Sequence, residues 1–110
     1  MSSPGLTGLL RSSLEHLASS PADQLEYVRR LGAGIDELAL EFDDVSGTRR
    51  QLLLEGEISS TQFDALAEVE QQLTSMTRAG SAHWTEGAVR EGEDWEQLRE
   101  LAQKALATLR

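Results

Sequence analysis

The chain has no cysteine, a single lysine and few β-branched aliphatic residues. Without cysteine, its 110 residues cannot form disulfides, thiolate zinc sites or iron–sulfur clusters, and no cysteine nucleophile is available. Valine and isoleucine together occur six times, against 18 leucines. Because β-branched residues favour strands and leucine favours helices, this composition predicts an all-α protein.

Long apolar runs are also missing. No stretch approaches the roughly 18–20 apolar residues that a membrane-spanning helix needs. Near the N-terminus, Arg11 follows the apolar patch instead of preceding it, which is the wrong order for a secretory signal. We therefore expect a cytoplasmic protein that does not bind a membrane.

Basic residues are outnumbered by acidic ones, 10 to 19, so the formal net charge is −9 at pH 7. This charge repels a phosphate backbone and disfavours nucleic-acid binding, whereas basic partners are steered toward the chain. The densest acidic patch is either the solvated face of a helix or a docking site for a basic partner. It consists of Asp36, Glu37, Glu41, Asp43 and Asp44.

The longest periodic pattern follows a clear helix start at residues 20–23, where serine, proline and aspartate suit the N-cap, N1 and N3 positions. Apolar residues then recur at alternating steps of three and four, which is a coiled-coil heptad pattern. Glycines at 32, 34 and 47 offer possible breaks, but since the phase continues through them, the pattern favours one continuous or gently kinked helix over about 21–55. At 1.5 Å per residue, this helix would be about 50 Å long.

A helix boundary follows the long pattern. Ser59 and Gln62 have the spacing of a capping box, and Ile58 and Phe63 have the spacing of a hydrophobic staple. The next helix is predicted over 60–79. The short connection predicts that the helices over 21–55 and 60–79 form an antiparallel hairpin.

Two further helices, about 7–18 and 94–109, would extend the hairpin to a four-helix, bundle-like domain. We expect residues 1–110 to form one helical domain, with 1–6 disordered and 80–93 irregular. The first hairpin helix is much longer than the second, so part of it needs other cover. A second copy of the chain could supply that cover, and we expect a homodimer.

These features predict a non-enzymatic helical interaction module. It would self-associate, or bind a protein partner, basic partners included, through the heptad face of the long helix. The two tryptophans flank the irregular segment and either pack the last helix or anchor a partner. The expected interface residues are Val28, Leu31, Ile35, Leu38, Phe42, Val45, Arg49, Trp84 and Trp95.

Recognisable catalytic and metal-binding motifs are missing from the sequence. It contains no G-x-S-x-G and no glycine-rich phosphate loop. An EF-hand frame over 51–62 places Gln51, Leu53 and Gln62 where calcium ligands are needed. We therefore expect no enzymatic activity, no metal and no cofactor.

Two alternatives stay open. "GIDELALEF" loosely resembles the first helix of AroQ-type chorismate mutases, which implies a small-molecule-binding or catalytic helical bundle whose arginines hold an anion. The first half of this chain lacks the lysine of that family. The candidate arginines are Arg29, Arg49 and Arg50.

The second alternative is a small exported helical-hairpin protein. Length, acidity and the helical hairpin are similar to the WXG100, or ESAT-6-like, secreted proteins. Those proteins carry W-x-G at the hairpin turn, whereas this turn reads "EGEIS" and the tryptophan motif nearest to that pattern is "WTEG" at 84–87.

Overall fold

The computed structural model describes residues 5–109. Every regular element in this range is helical, which confirms the all-α class, and a 3₁₀ turn over Ser81–His83 lies within the segment expected to be irregular. Residues 1–4 of the segment expected to be disordered lie outside the described range. The α-helices are α1 (Gly5–Ala18), α2 (Pro21–Leu31), α3 (Glu37–Ser46), α4 (Arg49–Leu54), α5 (Ser60–Ala79), α6 (Glu86–Glu91) and α7 (Glu93–Thr108).

The single long helix predicted over 21–55 is wrong, because the chain breaks it twice. At the first break Gly32 adopts φ +66°, a left-handed conformation that glycine tolerates best. The N–H groups of Gly32 and Ala33 donate to the carbonyls of Arg29 and Val28, which closes the end of α2. The heptad phase nevertheless continues, because α2 and α3 turn their apolar stripes into one core.

The second break lies between α3 and α4. The hydroxyl and the backbone N–H of Thr48 both donate to the carbonyl of Val45, at 2.6 and 3.1 Å. Gly47 keeps right-handed backbone angles here, so this junction is a tight turn within a helical path.

The predicted boundary before α5 is confirmed. Ser59 Oγ accepts from the backbone N–H of Gln62 at 3.1 Å, and the N–H of Ser59 donates to Gln62 Oε1 at 2.7 Å. Gly56 adopts φ +75°, and Ile58 is buried. These contacts satisfy donors that the first turn of α5 would otherwise leave unpaired.

The helices enclose one hydrophobic core. The most extensive packing joins α7 to both α5 and α1, and α1 in turn packs on α3. The predicted hairpin requires α5 to pack mainly on the helix that precedes it, whereas the main neighbour of α5 is α7. The four-helix arrangement stays a prediction. No helix among residues 5–109 has the length and apolarity needed to cross a membrane. The largest fully buried apolar side chains are Trp95, Phe42, Leu10, Leu14, Leu17, Leu38, Leu66, Met76, Leu98, Val69 and Val89.

A buried glutamine joins four helices. Gln24 in α2 is inaccessible to solvent, and its Nε2 donates to the carbonyls of His16 and Leu17 at the end of α1, at 3.2 and 2.9 Å. Its Oε1 accepts from Arg99 of α7 at 3.0 Å, and the same Arg99 nitrogen donates to the carbonyl of Val89 in α6. The side chain therefore caps α1 and joins it to α2 and α7, and Arg99 extends the junction to α6.

We expect Gln24→Leu to lower the free energy of unfolding by about 2–4 kcal/mol, because it removes a donor to the carbonyls of His16 and Leu17 and an acceptor for Arg99. Adding Arg99→Met should recover part of this loss. Urea denaturation of the four proteins of the cycle measures the coupling.

The matched control is Gln103→Leu, since Gln103 also donates to a carbonyl at the end of α1, that of Ala18, but is exposed. An equal loss in Gln24→Leu and Gln103→Leu would contradict the importance of burial.

We expect the double substitution Ile58→Ser with Phe63→Ser to destabilise the protein by about 2–4 kcal/mol, because it removes apolar burial at the α5 boundary. Leu54→Ser is the control, because Leu54 is 75% exposed. Thermal melts followed by circular dichroism check the result; an unchanged melting temperature in the double variant would show that this boundary is not stabilising.

Candidate functional site

Most of the predicted interface residues lie inside the chain's own core. Val28, Leu38, Phe42, Val45 and Trp95 are buried there. The stripe that the sequence offers to a partner is therefore largely covered by α1, α5 and α6.

The four other predicted interface residues are accessible to different degrees. Ile35 and Trp84 are partly buried against the core, and Trp84 meets Trp95 edge to face with ring centroids 5.8 Å apart. Arg49 is 22% exposed and Leu31 is 50% exposed. The interface stays a prediction, and these are the members that a partner could reach in the folded chain.

Arg49 begins α4 and forms an ion pair with Glu70 of α5. An arginine at a heptad core position needs an acidic partner, either on a neighbouring helix of the same chain or across a dimer seam. Ser46 Oγ also donates to Glu70 Oε2, at 2.9 Å, and the Arg49 guanidinium lies 5.1 Å from the centroid of the Phe63 ring. The guanidinium is thus held between a carboxylate and an aromatic face.

A groove of about 370 Å³ lies beside this ion pair, along α5. The catalytic alternative requires an enclosed pocket lined by Arg29, Arg49 or Arg50, and of these only Arg49 lines the groove. Arg29 instead pairs with Glu86 at 2.5 Å on the surface. The groove is lined by Arg49, Ala67, Glu70, Gln71, Thr74, Ser75 and Arg78.

Acidic side chains crowd the end of α3 that faces this ion pair. The pKa of Asp43 is raised, first by partial burial and then by the negative charges of Glu70 and Asp44. The ionised form of Asp43 is therefore disfavoured in the folded chain.

A second polar cluster joins α1, α2 and α3. His16 Nδ1 lies 3.1 Å from Glu41 Oε1, and the hydroxyl of Tyr27 donates to the other oxygen of the same carboxylate. The rings of His16 and Tyr27 stack with centroids 3.8 Å apart. Burial, the hydrogen bond to Glu41 and the charges of Glu41 and Glu37 raise the pKa of Tyr27 to about 12.

This cluster forms the wall of a smaller groove, of about 220 Å³, between α1 and α3. Leu9 lines it and is 54% exposed, while Leu40 of α3 is 47% exposed. The groove therefore combines exposed leucine with carboxylates. Its lining residues are Leu9, Ser12, Ser13, His16, Tyr27, Glu41, Asp44 and Val45.

The geometry of the cluster is not that of a serine hydrolase. Ser13 Oγ donates to the carbonyl of Leu10 at 2.9 Å, and Ser19 Oγ donates to the backbone carbonyl of His16 at 2.8 Å. Within residues 7–109 no serine hydrogen-bonds to the His16 ring. The other histidine, His83, faces Asp94 at 3.3 Å. No group of three or more histidine, aspartate or glutamate side chains in the described part of the chain could hold a metal ion.

The His16–Tyr27–Glu41 cluster was missed by sequence reasoning. Its members are 11 and 14 positions apart and come from three helices, so no local spacing marks them. Only the break after α2, which the heptad pattern conceals, allows Tyr27 and Glu41 to meet.

Comparison with known proteins identifies no relative of this chain: no protein-family model, no curated protein and no solved structure matches it. The function is therefore inferred from the geometry of the chain alone.

We expect Tyr27, the only tyrosine, to ionise with a midpoint near 12 in the folded protein and near 10.0 in denaturant. Its folded pKa is raised, so its contribution to stability is complete below about pH 10 and is lost as the pH approaches 12. Tyrosinate absorbance measures both midpoints directly.

Glu41→Gln should lower the folded midpoint, because it removes the charge and changes the acceptor of the Tyr27 hydroxyl. Glu100→Gln, on exposed α7 surface, is the control and should leave the midpoint unchanged. A folded wild-type midpoint near 10 would contradict the burial of the hydroxyl and its bond to Glu41.

Proposed function

We propose that this chain is a non-enzymatic helical interaction module that binds a basic amphipathic helix of a protein partner. The binding surface is the groove between α1 and α3 with the adjoining crest of α3. We name it the acidic face and define it by Leu9, Glu37, Leu40, Glu41 and Asp44. The observation that carries the proposal is the presence of exposed leucines among carboxylates on this face.

Exposed leucines supply the apolar part of the surface. Leu9 and Leu40 are about half exposed although the core takes in most other leucines. Leu40 and Asp44 are one helical turn apart, so they lie on the same side of α3. A partner helix that covers these leucines would remove apolar surface from water, which favours association.

The charges of α3 supply the electrostatic part. Residues 36–44 contain five acidic residues and no lysine or arginine. Among the described residues, Glu41 is the member of this group with an ion-pair partner, and that partner is His16. The remaining carboxylates are available to lysine and arginine side chains of a partner, which would raise both specificity and association rate.

A helix is the form of partner that suits this surface. Two packed helices leave a groove between them, and an amphipathic helix can lay its apolar residues into such a groove. With leucines at the groove and carboxylates beside it, the complementary sequence has apolar residues at helical spacing flanked by lysine or arginine.

Self-association is a second proposal, since Leu31 and Leu54 are also exposed at the ends of α2 and α4. The sequence predicts a homodimer through the heptad face, and Leu31 is the exposed leucine of that face. Light scattering at micromolar concentration distinguishes the two proposals: a dimer that Leu31→Ser dissociates favours self-association, and a monomer contradicts it.

The proposed function is tested by fluorescence anisotropy with a labelled leucine–lysine amphipathic helix. We expect saturable binding that weakens at about 0.5 M NaCl, where the Debye length is only a few ångströms. A leucine–glutamate helix of the same pattern should not bind. The triple variant Glu37→Gln, Leu40→Ser, Asp44→Asn should weaken binding by at least about tenfold, since it removes apolar contact and two charges.

A matched control separates specific docking from attraction to net charge. Glu93→Gln, Leu54→Ser and Glu100→Gln together remove the same charge and one exposed leucine elsewhere. We expect this control to bind like the wild type. Equal weakening in both triple variants, or no binding by the wild type, would refute the acidic face as the docking surface.

A further inference from the structure

We propose that the groove between α4 and α5 binds a small molecule that carries carboxylate groups, held by Arg49 and Arg78. None of its lining residues belongs to the acidic face, so this site is independent of the proposed function. A volume of about 370 Å³ is within the range of small-molecule sites, roughly 300–1,000 Å³.

Arg49 forms the fixed end of the site. Its hydrogen bonds to Glu70 and Ser46 all use Nη1, and its position beside Phe63 restrains the guanidinium plane. Its Nε is buried and has no acceptor. Its Nη2 also has no protein acceptor within the described chain. A rigid guanidinium with a remaining donor loses little entropy when it binds an anion.

Arg78 forms the other end of the site. It lies in the last turn of α5, eight residues after Glu70, which is about 12 Å along the helix axis. Long side chains on a helix point back toward its N-terminus, so Arg78 can reach over Thr74 and Ser75 into the groove. No ion pair of Arg78 is present among residues 7–109.

Neutral hydrogen-bonding groups lie between the two arginines. Gln71, Thr74 and Ser75 line the floor of the groove. They suit the hydroxyl or carbonyl groups of a small polar molecule. Arg78 presents its donors in a planar fork that matches the two coplanar oxygens of a carboxylate, and carboxylate is the anion that we assign.

Two features of the chain oppose the binding of an anion in this groove. Glu70 also lines the groove, but the Arg49 ion pair offsets its charge. The net charge of −9 repels anions at long range, although exposed charges beyond about 8–10 Å are largely screened at physiological salt. Local donors can therefore decide binding within the groove.

The test is titration calorimetry of the full chain with succinate and with citrate. Inorganic phosphate and sodium chloride at matched ionic strength are the comparison probes. We expect saturable binding of at least one carboxylate, tighter than phosphate. Arg78→Gln should weaken it by at least about tenfold, because a charged hydrogen bond is lost. Ser75→Trp should abolish it by filling the groove.

Both variants change exposed side chains, so they should fold, and thermal melts verify this. The matched controls are Arg50→Gln, an exposed arginine outside the groove, and Gln97→Trp, an exposed position on α7; both should bind like the wild type. The proposal is overturned if no carboxylate binds saturably, if phosphate binds more tightly, or if Arg78→Gln and Ser75→Trp bind like their controls.

Discussion

The junction around Gln24 is the constraint on which the arrangement of the helices depends. An amide that is fully removed from solvent must find partners for both its donor and its acceptor, or folding loses the hydrogen bonds that water supplied. Gln24 finds them at the last carbonyls of α1 and at Arg99. The end of α1, the start of α2, α6 and the middle of α7 therefore have to meet at one point. Apolar contacts alone would tolerate small slides of these helices, whereas this junction has one satisfied geometry.

The positions of helices could be predicted from local patterns, but the breaks could not. The capping box at Ser59 and the periodicity of α5 are contained in neighbouring residues, and both match the structure. The break at Gly32 depends on the balance between one more helical turn and the packing gained when α3 folds onto α1. Glycine lowers the free-energy cost of ending α2 at this position. Whether the helix breaks is decided by the packing of α3 on α1, which involves residues distant in sequence.

The same distinction applies to the candidate sites. Arg49 could be singled out from the sequence, because a charge at a core heptad position requires a partner, and Glu70 is that partner. The stacked pair of His16 and Tyr27 on Glu41 carries no local signal and exists only because three helices converge. The heptad stripe has a clear local signal, because its apolar residues recur at helical spacing. The spacing does not determine whether such a face packs on another molecule or on the remainder of its own chain.

Helix α3 separates two surfaces of different chemistry. On its α1 side, Glu41 accepts from Tyr27 and adjoins exposed leucine, and on its α5 side Ser46 donates to the carboxylate that pairs with Arg49. Asp43 shows the consequence of placing so many acids on ten residues, since burial and its neighbours raise its pKa. A helix that served only to close the core would be more stable with fewer of these charges. These charges lie beside leucines that the core leaves uncovered, and this arrangement supports the proposed recognition at the surface of α3.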